Sequence, residues 1–587
     1  MNSIFYSINS KRGLDDNMVN ENMLRKYPKK NIDIEIYSMV SKVIDIIYLK
    51  EDLGWVDKKN NPVNIGSWDS ENRIATLDNK LDQSRKLFVI DVNNATIDGT
   101  GSIIGGVEVA INIIGQHDII LKNFIIKNNN VAIFMEASKG ISIEYSSFAD
   151  NKDSIVVLRS NEIKIKSNVI ESTANTSTGI FIQNSGNVVI ENNTVNIKIN
   201  KNDNHTFTDN YCGINTENAA SISILNNNIE IKDSIIESVN SISAIITGYC
   251  INFYSTYDTI IKSNNLCIDK NNITLNSSNV AEINLAVISL NNNNTSIEVE
   301  ENNITINSND FKVACNNGGI KNDVMLYTSE NNSNKITNNL ISINNNSYNI
   351  NSNTSNNHYI DLNAIRMEYY NNYNSIVENE INVIENKAIF ESDTCKAINY
   401  LCGLYLNTEN ITNNIVNNNI LVKANDITSN SNIETIYALV YLYNNNVCNT
   451  IMENNLNESQ GNGIVLVNSN DNTEIIENSI KMNSIYGILL TNENINTNIS
   501  IIMNNCIEGN GDYGIYIIKG NYYNIIKNNN FISYEAKNIY DNNTLEFKNY
   551  YERNYYNDWN NIRPYIIEGS NFEDNFSEKL PINLKCN

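Results

Sequence analysis

The chain of 587 residues is poor in the residues that most proteins use for turns and sites. It holds 4 Pro, 24 Gly, 3 His, 3 Trp and 8 Arg. With Pro and Gly this scarce, another residue type must make the sharp turns. Lys and Arg total 42 against 66 Asp and Glu, a formal net charge of −24. That balance leaves no electrostatic footprint for nucleic acid or for an anionic membrane surface. No stretch approaches the roughly 18 consecutive apolar residues of a membrane-spanning helix, so no membrane insertion is expected. Met1 to Asp15 has no apolar core behind a basic start, and Leu584-Lys585-Cys586-Asn587 carries no anchor or lipid signal. These ends read as a cytoplasmic protein or one exported without a leader. The 9 Cys are odd in number and dispersed, with no CxxC pair. They are expected to be free thiols filling a core in a reducing compartment. His117, His205 and His358 lie too far apart for a copper-type cluster, so no metal ligands are assigned.

What the chain does hold is 124 Asn and 94 Ile, more than a third of all residues. An apolar fraction of 41% excludes wholesale disorder. From about residue 88 onward one unit recurs: apolar-x-apolar, two or three Asn-like residues, then an apolar residue. Ile163 to Val169, Val188 to Val195, Ile297 to Ile304 and Ile451 to Leu456 are examples. Taking the apolar residue after the Asn pair as a register mark gives Phe124, Phe148, Val169, Val195, Ile229, Leu266, Ile304, Leu340, Ile381, Ile420, Leu456, Ile480, Ile507 and Phe531. The marks fall 21–27 residues apart at both ends and 34–41 apart in seven units between about 196 and 456.

Runs of three to five residues with alternation and heavy Ile use read as strands. Units of 21–27 residues with two or three such strands fit one coil of a parallel β-helix. A βαβ array would need a helical pattern in every unit, and none is visible. Asn tolerates the left-handed turn conformation, and its amide can hydrogen-bond up a stack of equivalent positions. Ile stacks on itself along the core. The fold class is therefore all-β: a single right-handed parallel β-helix of about fifteen coils, roughly 70 Å long at about 4.8 Å per coil.

The first coil, Ile90-Asp91-Val92-Asn93-Asn94-Ala95-Thr96-Ile97-Asp98-Gly99, and the closing Asn554-Tyr555-Tyr556-Asn557-Asp558-Trp559 resemble the pectate-lyase-like parallel β-helix superfamily. The repeat is most similar to its "periplasmic copper-binding" NosD-type branch, over about 85–570. The resemblance implies the fold; for activity it leaves open lyases, hydrolases, epimerases, adhesins and inert scaffolds. In the superfamily's polysaccharide lyases an Arg or Lys removes a proton while carboxylates hold calcium. Here calcium has no supporting motif, and no other cofactor is implied. The Asp-Asp and Gly-His-Gly motifs of polygalacturonases are absent.

The expected organisation is an N-terminal extension and cap over 1–85, the β-helix over 86–531, and a C-terminal cap and tail over 532–587. A solenoid must cover its open ends. Asp33 to Leu49 reads as the N-terminal cover, a helix in preference to a strand pair, with Trp55 and Trp68 packing behind it and an aromatic cluster over 550–569 closing the far end. The extra residues of the long units should pile up as a wall at one corner. Alternation in the strand after each insertion points Asn252, Tyr254, Tyr327, Arg366, Glu368, Tyr405, Asn407, Tyr441 and Tyr443 outward. Rings, amides and carboxylates in one stripe suit a polysaccharide or surface glycan: rings stack on sugar faces while polar groups take hydroxyls. The reading is a glycan-binding or surface-interaction scaffold, with two alternatives: a polysaccharide lyase, hydrolase or epimerase centred on Arg366 and Glu368, and a structural repeat protein without a site. Arg366 and Glu368 on one strand face can equally be a solvated ion pair of little energetic weight.

Overall fold

The computed structural model describes residues 45–584 apart from 79–84, 174–176, 204, 352–356, 392–395, 430–433, 492–499, 535–536, 545, 547, 562–563 and 571. The chain winds as a right-handed parallel β-helix, and no helix occurs among the described residues. Each short coil gives one strand to each of three parallel sheets, and several long coils give two strands to one of them. Val131–Glu136, Ser142–Glu144 and Ser147–Ala149 make one coil; Asp153–Leu158, Asn161–Lys166 and Val169–Ser172 stack on it. One sheet collects 23 strands and another 16.

The core is a column of inward Ile, Leu, Val and Phe. In one sheet Phe148, Ile170, Val195, Ile229, Leu266, Ile304, Ile341 and Ile381 stand above one another, all fully buried. Three register marks need correction: Val169 and Leu340 face solvent while Ile170 and Ile341 take the core position, and Phe124 stands off the column. Phe124 is buried, but Ile126 is the stacking equivalent of Phe148. The inward residue lies two after the buried Asn. Where the intervening residue is also apolar, as at 169 and 340, the first apolar residue is the wrong one.

That buried Asn forms a ladder running through Asn168, Asn193, Asn227, Asn264, Asn302, Asn339, Asn379, Asn418, Asn454, Asn478, Asn505, Asn529 and Asn554. A typical rung is Asn302, whose backbone N–H and Nδ2 donate to Asn339 Oδ1 at 2.9 and 3.0 Å, while Nδ2 also donates to the Ile261 carbonyl of the preceding coil at 2.9 Å. The ladder is polar, so its last rung needs an acceptor. Asn554 finds one in the Asp574 carboxylate, at 3.0 Å from both its donors. The left-handed conformation falls on the residue before the rung, which is Asn at 192, 226 and 338 but Glu at 301, 378 and 453. Asn abundance thus reflects buried amide stacking more than turn conformation.

At the N-terminal end Asp45–Lys50 is a strand, not part of a helix. It pairs parallel with Lys86–Asp91 and antiparallel with Gly54–Asp57. The rest of the expected helix lies outside the described residues. Its alternating Ile47 and Leu49 extend the core, and Trp55 meets Phe88 edge-on at 5.8 Å. At the other end Tyr565 stacks on Tyr556, which stacks on Phe531 at 5.3 Å, and Trp559 packs against the core. Cys212, Cys250, Cys267, Cys315, Cys402 and Cys448 are free thiols, but Cys506 is disulfide-bonded, which removes the all-thiol argument for a reducing compartment.

Candidate functional site

The extra residues of the long coils form strands rather than a wall of loops. Phe207–Glu217, Ile235–Tyr254, Asn272–Asn291, Asn317–Ser329, Asn357–Tyr369, Lys396–Asn407 and Glu434–Tyr443 stack in parallel register. Each carries a break in its alternation near its C-terminal end, and Ile235–Tyr254 has further register shifts between Ser238 and Ser243. In Asn357–Tyr369 the core takes Ile360, Leu362 and Ala364, then immediately Ile365 and Met367. Two successive inward residues mean that the strand turns there. The outward side chains on either side of the turn then lean toward each other: Asp361 and Asn363 from one arm, Arg366 and Glu368 from the other. Repeated coil after coil, the turn makes a concave corner running along the outside of the solenoid.

Arg366 bridges that corner. Its guanidinium is 3.0 Å from Asp361 of its own strand, 3.0 Å from Glu368 and 4.0 Å from Asp323 of the preceding coil. The Tyr405 ring lies 5.4 Å from the guanidinium carbon. Arg366, Asp323 and Asp361 are buried, and Glu368 is partly exposed. Burial pushes Asp323 up to about 6 although Arg366 opposes the shift. Burial also raises Asp361, again against the pull of Arg366. Burial acts against the charge on Arg366, but Asp323, Asp361 and Glu368 outweigh it and hold the guanidinium above its ordinary value. The set holds one cation among three carboxylates. Asp361 Oδ1, Asn363 Oδ1 and Arg366 Nε are buried with no hydrogen-bond partner. Asn363 Nδ2 donates to Asp323 Oδ1 at 3.0 Å.

Gly319 makes room on the neighbouring arm. A Cβ there would sit 2.4 Å from the Tyr359 carbonyl oxygen and 2.7 Å from its ring. The Tyr359 ring occupies that space, with Lys321 Nζ 5.2 Å from its centre.

Toward the C-terminus the corner is aromatic. Tyr400 stacks on Tyr405 across the turn at 5.0 Å, Tyr405 meets Tyr441 at 5.3 Å, and Tyr441 stacks on Tyr443 at 6.2 Å. The same outer column continues through Val465 and Leu489 to Tyr516 and Tyr540, which stack at 4.8 Å. Toward the N-terminus it is lined with amides: Asn252 Nδ2 donates to Asn215 Oδ1 at 2.9 Å, and Asn291 Nδ2 to Asn252 Oδ1 at 2.6 Å.

The residues expected to face outward divide as follows. Asn252, Tyr254, Arg366, Glu368, Tyr405, Asn407, Tyr441 and Tyr443 occupy the outer columns. Tyr327 does not: it is fully buried in the core beside Met325, and Leu326 takes the outer position next to Arg366. The turn between Asp323 and Met325 shifts the alternation by one. Arg366, Tyr405 and Tyr441 are outward yet buried, because the other arm of the corner covers them. The solvated-pair reading of Arg366 and Glu368 therefore fails for the Arg. Sequence reasoning missed Asp323, Asn363 and Tyr400. No group of three or more His, Cys, Asp or Glu placed to hold a metal ion occurs among the described residues, and among them no helix is long and apolar enough to cross a membrane.

No family model matches the chain and no curated protein matches it. Solved structures with some likeness include a DFA-IIIase from Arthrobacter chlorophenolicus A6 (11% identity, TM-score 0.25, covering 59% of this chain and 71% of that one). The surface adhesin PfbA of Streptococcus pneumoniae gives 12%, TM-score 0.23, and 71% and 82% of the two chains. The PL6 family alginate lyase AlyGC gives 9%, TM-score 0.18, and 86% and 95%. Likeness at this level carries no argument about what this chain does, and its fold rests on its own strand pairing.

Proposed function

We propose that the concave corner is a binding groove for an extended glycan lying parallel to the solenoid axis. The observation that carries this reading is the axial succession of Asn215, Asn252 and Asn291, then the charged set at Arg366, then the rings of Tyr400, Tyr405, Tyr441 and Tyr443. Each coil advances about 4.8 Å, so successive sugars of one chain would meet successive coils. Rings flank sugar faces, and amides and carboxylates take hydroxyls. Tyr400 and Tyr443, partly exposed, would make the contact, with Tyr405 and Tyr441 packed behind them. Asn407 and Tyr254 extend the lining. The likeness of the repeat to the NosD-type branch belongs to the same proposal, as a scaffold with no metal assigned. Retention on an array of neutral and charged polysaccharides tests the groove. We expect retention by the wild type and its loss in Tyr400→Ala with Tyr443→Ala; unchanged retention in that double variant refutes the reading.

A second reading, acid–base chemistry on the bound glycan, draws on the convergence of Asp323, Asp361 and Glu368 on Arg366. Perturbed carboxylates grouped in a concavity are the usual setting of such chemistry. It predicts new reducing ends or unsaturated-sugar absorbance from wild type and none from Arg366→Ala. Equal silence of both proteins removes it.

A further inference from the structure

Resting on the groove reading, we infer that the glycan is an amino-bearing, positively charged polysaccharide and that the corner rejects polyuronates. The two arms turn Glu217, Glu282, Asp323, Asp361 and Glu368 toward the corner, against Lys321 and Arg366. Of the two cations, only Lys321 is partly exposed. Arg366 is buried and already engages Asp361 and Glu368 at 3.0 Å each, and the Lys321 ammonium lies over the Tyr359 ring. A uronate would bring its charge against Glu368 and Asp361 with Lys321 as the one partly exposed cation to meet it, and the chain as a whole is strongly acidic.

Two unpartnered acceptors point the same way, although Arg366 Nε is an unpartnered donor beside them. Asp361 Oδ1 and Asn363 Oδ1 are acceptors, buried at the floor of the corner, with no donor supplied by the protein. A buried acceptor without a donor is costly and is met by a ligand that brings one. An ammonium group brings three N–H donors and a positive charge. Glu368, partly exposed, stands at the entrance as the first carboxylate such a group would meet. The Tyr400 and Tyr443 faces beside it add attraction for a cation over a ring. The same groups have little to offer an acetylated amine, which keeps one N–H and loses the charge.

The test is titration calorimetry of the full chain at pH 6 and fixed salt with three probes: a hexamer of glucosamine, the same hexamer N-acetylated, and a hexamer of galacturonate. The glucosamine hexamer is expected to bind roughly tenfold more tightly than its acetylated form, and galacturonate not to bind. Glu368→Gln should weaken glucosamine binding by about fivefold, the upper range for a partly exposed ion pair. Glu378→Gln, the same charge change at an exposed turn on another side of the same coil, should leave it unchanged. Equal weakening by both variants would show attraction to general surface charge and overturn the inference. Preferred binding of the acetylated or the uronate hexamer, lost in Tyr443→Ala, overturns the charge preference while leaving the groove standing. No binding of any probe removes both.

Discussion

Replacing Arg366 by Met leaves three carboxylates facing one another in a buried corner. The guanidinium meets two of them at 3.0 Å and the third at 4.0 Å. Removing one partner of a buried ionic group costs about 3–5 kcal/mol, chiefly because the remaining charge is left uncompensated. The loss must depend on pH, with a definite sign. Burial already raises Asp323 to about 6, above its ordinary 3.8. Through that window the folded chain keeps a proton that the unfolded chain releases, so this group's contribution to stability is present at low pH and is lost as pH rises toward 6. Without Arg366 the carboxylates are raised further and the window extends upward. The variant should therefore lose about 3–5 kcal/mol at pH 8 and less than half of that at pH 5. Adding Asp361→Asn should restore part of the loss at pH 8 and little at pH 5. A long repeat array can unfold in parts, so local hydrogen exchange is the suitable assay. Protection should fall in 317–329, 357–369 and 396–407 and stay constant in 131–172. A deficit equal at both pH values, or protection lost evenly along the chain, would refute the reasoning.

Three further outcomes follow from the core. Tyr327→Phe removes a buried hydroxyl that has no hydrogen-bond partner, so it should be neutral or stabilising by about 1 kcal/mol, whereas Tyr327→Ala should cost about 3–5 kcal/mol through the cavity it leaves; thermal unfolding of both checks this. Asn339→Leu deletes a rung that donates to Asn379 and to two carbonyls and should cost about 2–3 kcal/mol, with exchange rising in the coils on either side. Asp574→Ala removes the acceptor that ends the ladder and leaves the Asn554 donors unmet. It should fray the C-terminal coils, seen as exchange in 550–556, and leave the coils before 480 unchanged.

The winding of the chain was legible because, from Asn168 onward, a buried Asn and an apolar residue two after it recur coil after coil, and each obeys a stacking constraint that local sequence exposes. The corner was harder to read. Arg366, Tyr405 and Tyr441 stand fifteen residues before Ile381, Ile420 and Leu456, and the same count from Ile341 gives Leu326. Marking Leu340 in place of Ile341 hid that equivalence, and the strand turn after Asp323 then sent Tyr327 to the wrong face. Asp323 escaped notice because its partner lies one coil on, and only an accurate register puts it beneath Asn363. Nor does alternation reveal that an outward residue such as Arg366 is buried, since the cover comes from the second arm of the same strand. The expected helix over 33–49 failed at its described end because Ile47 and Leu49 satisfy the period of a strand that the first coil can pair with.

The groove itself is tested most directly by the structure of a complex with an oligosaccharide of the best-retained glycan. The account predicts a chain of sugars parallel to the solenoid axis, rings against Tyr400 and Tyr443 and one unit beside Glu368. Sugars bound instead beside Trp68 at the N-terminal end, or crossing the axis on another sheet, would contradict it.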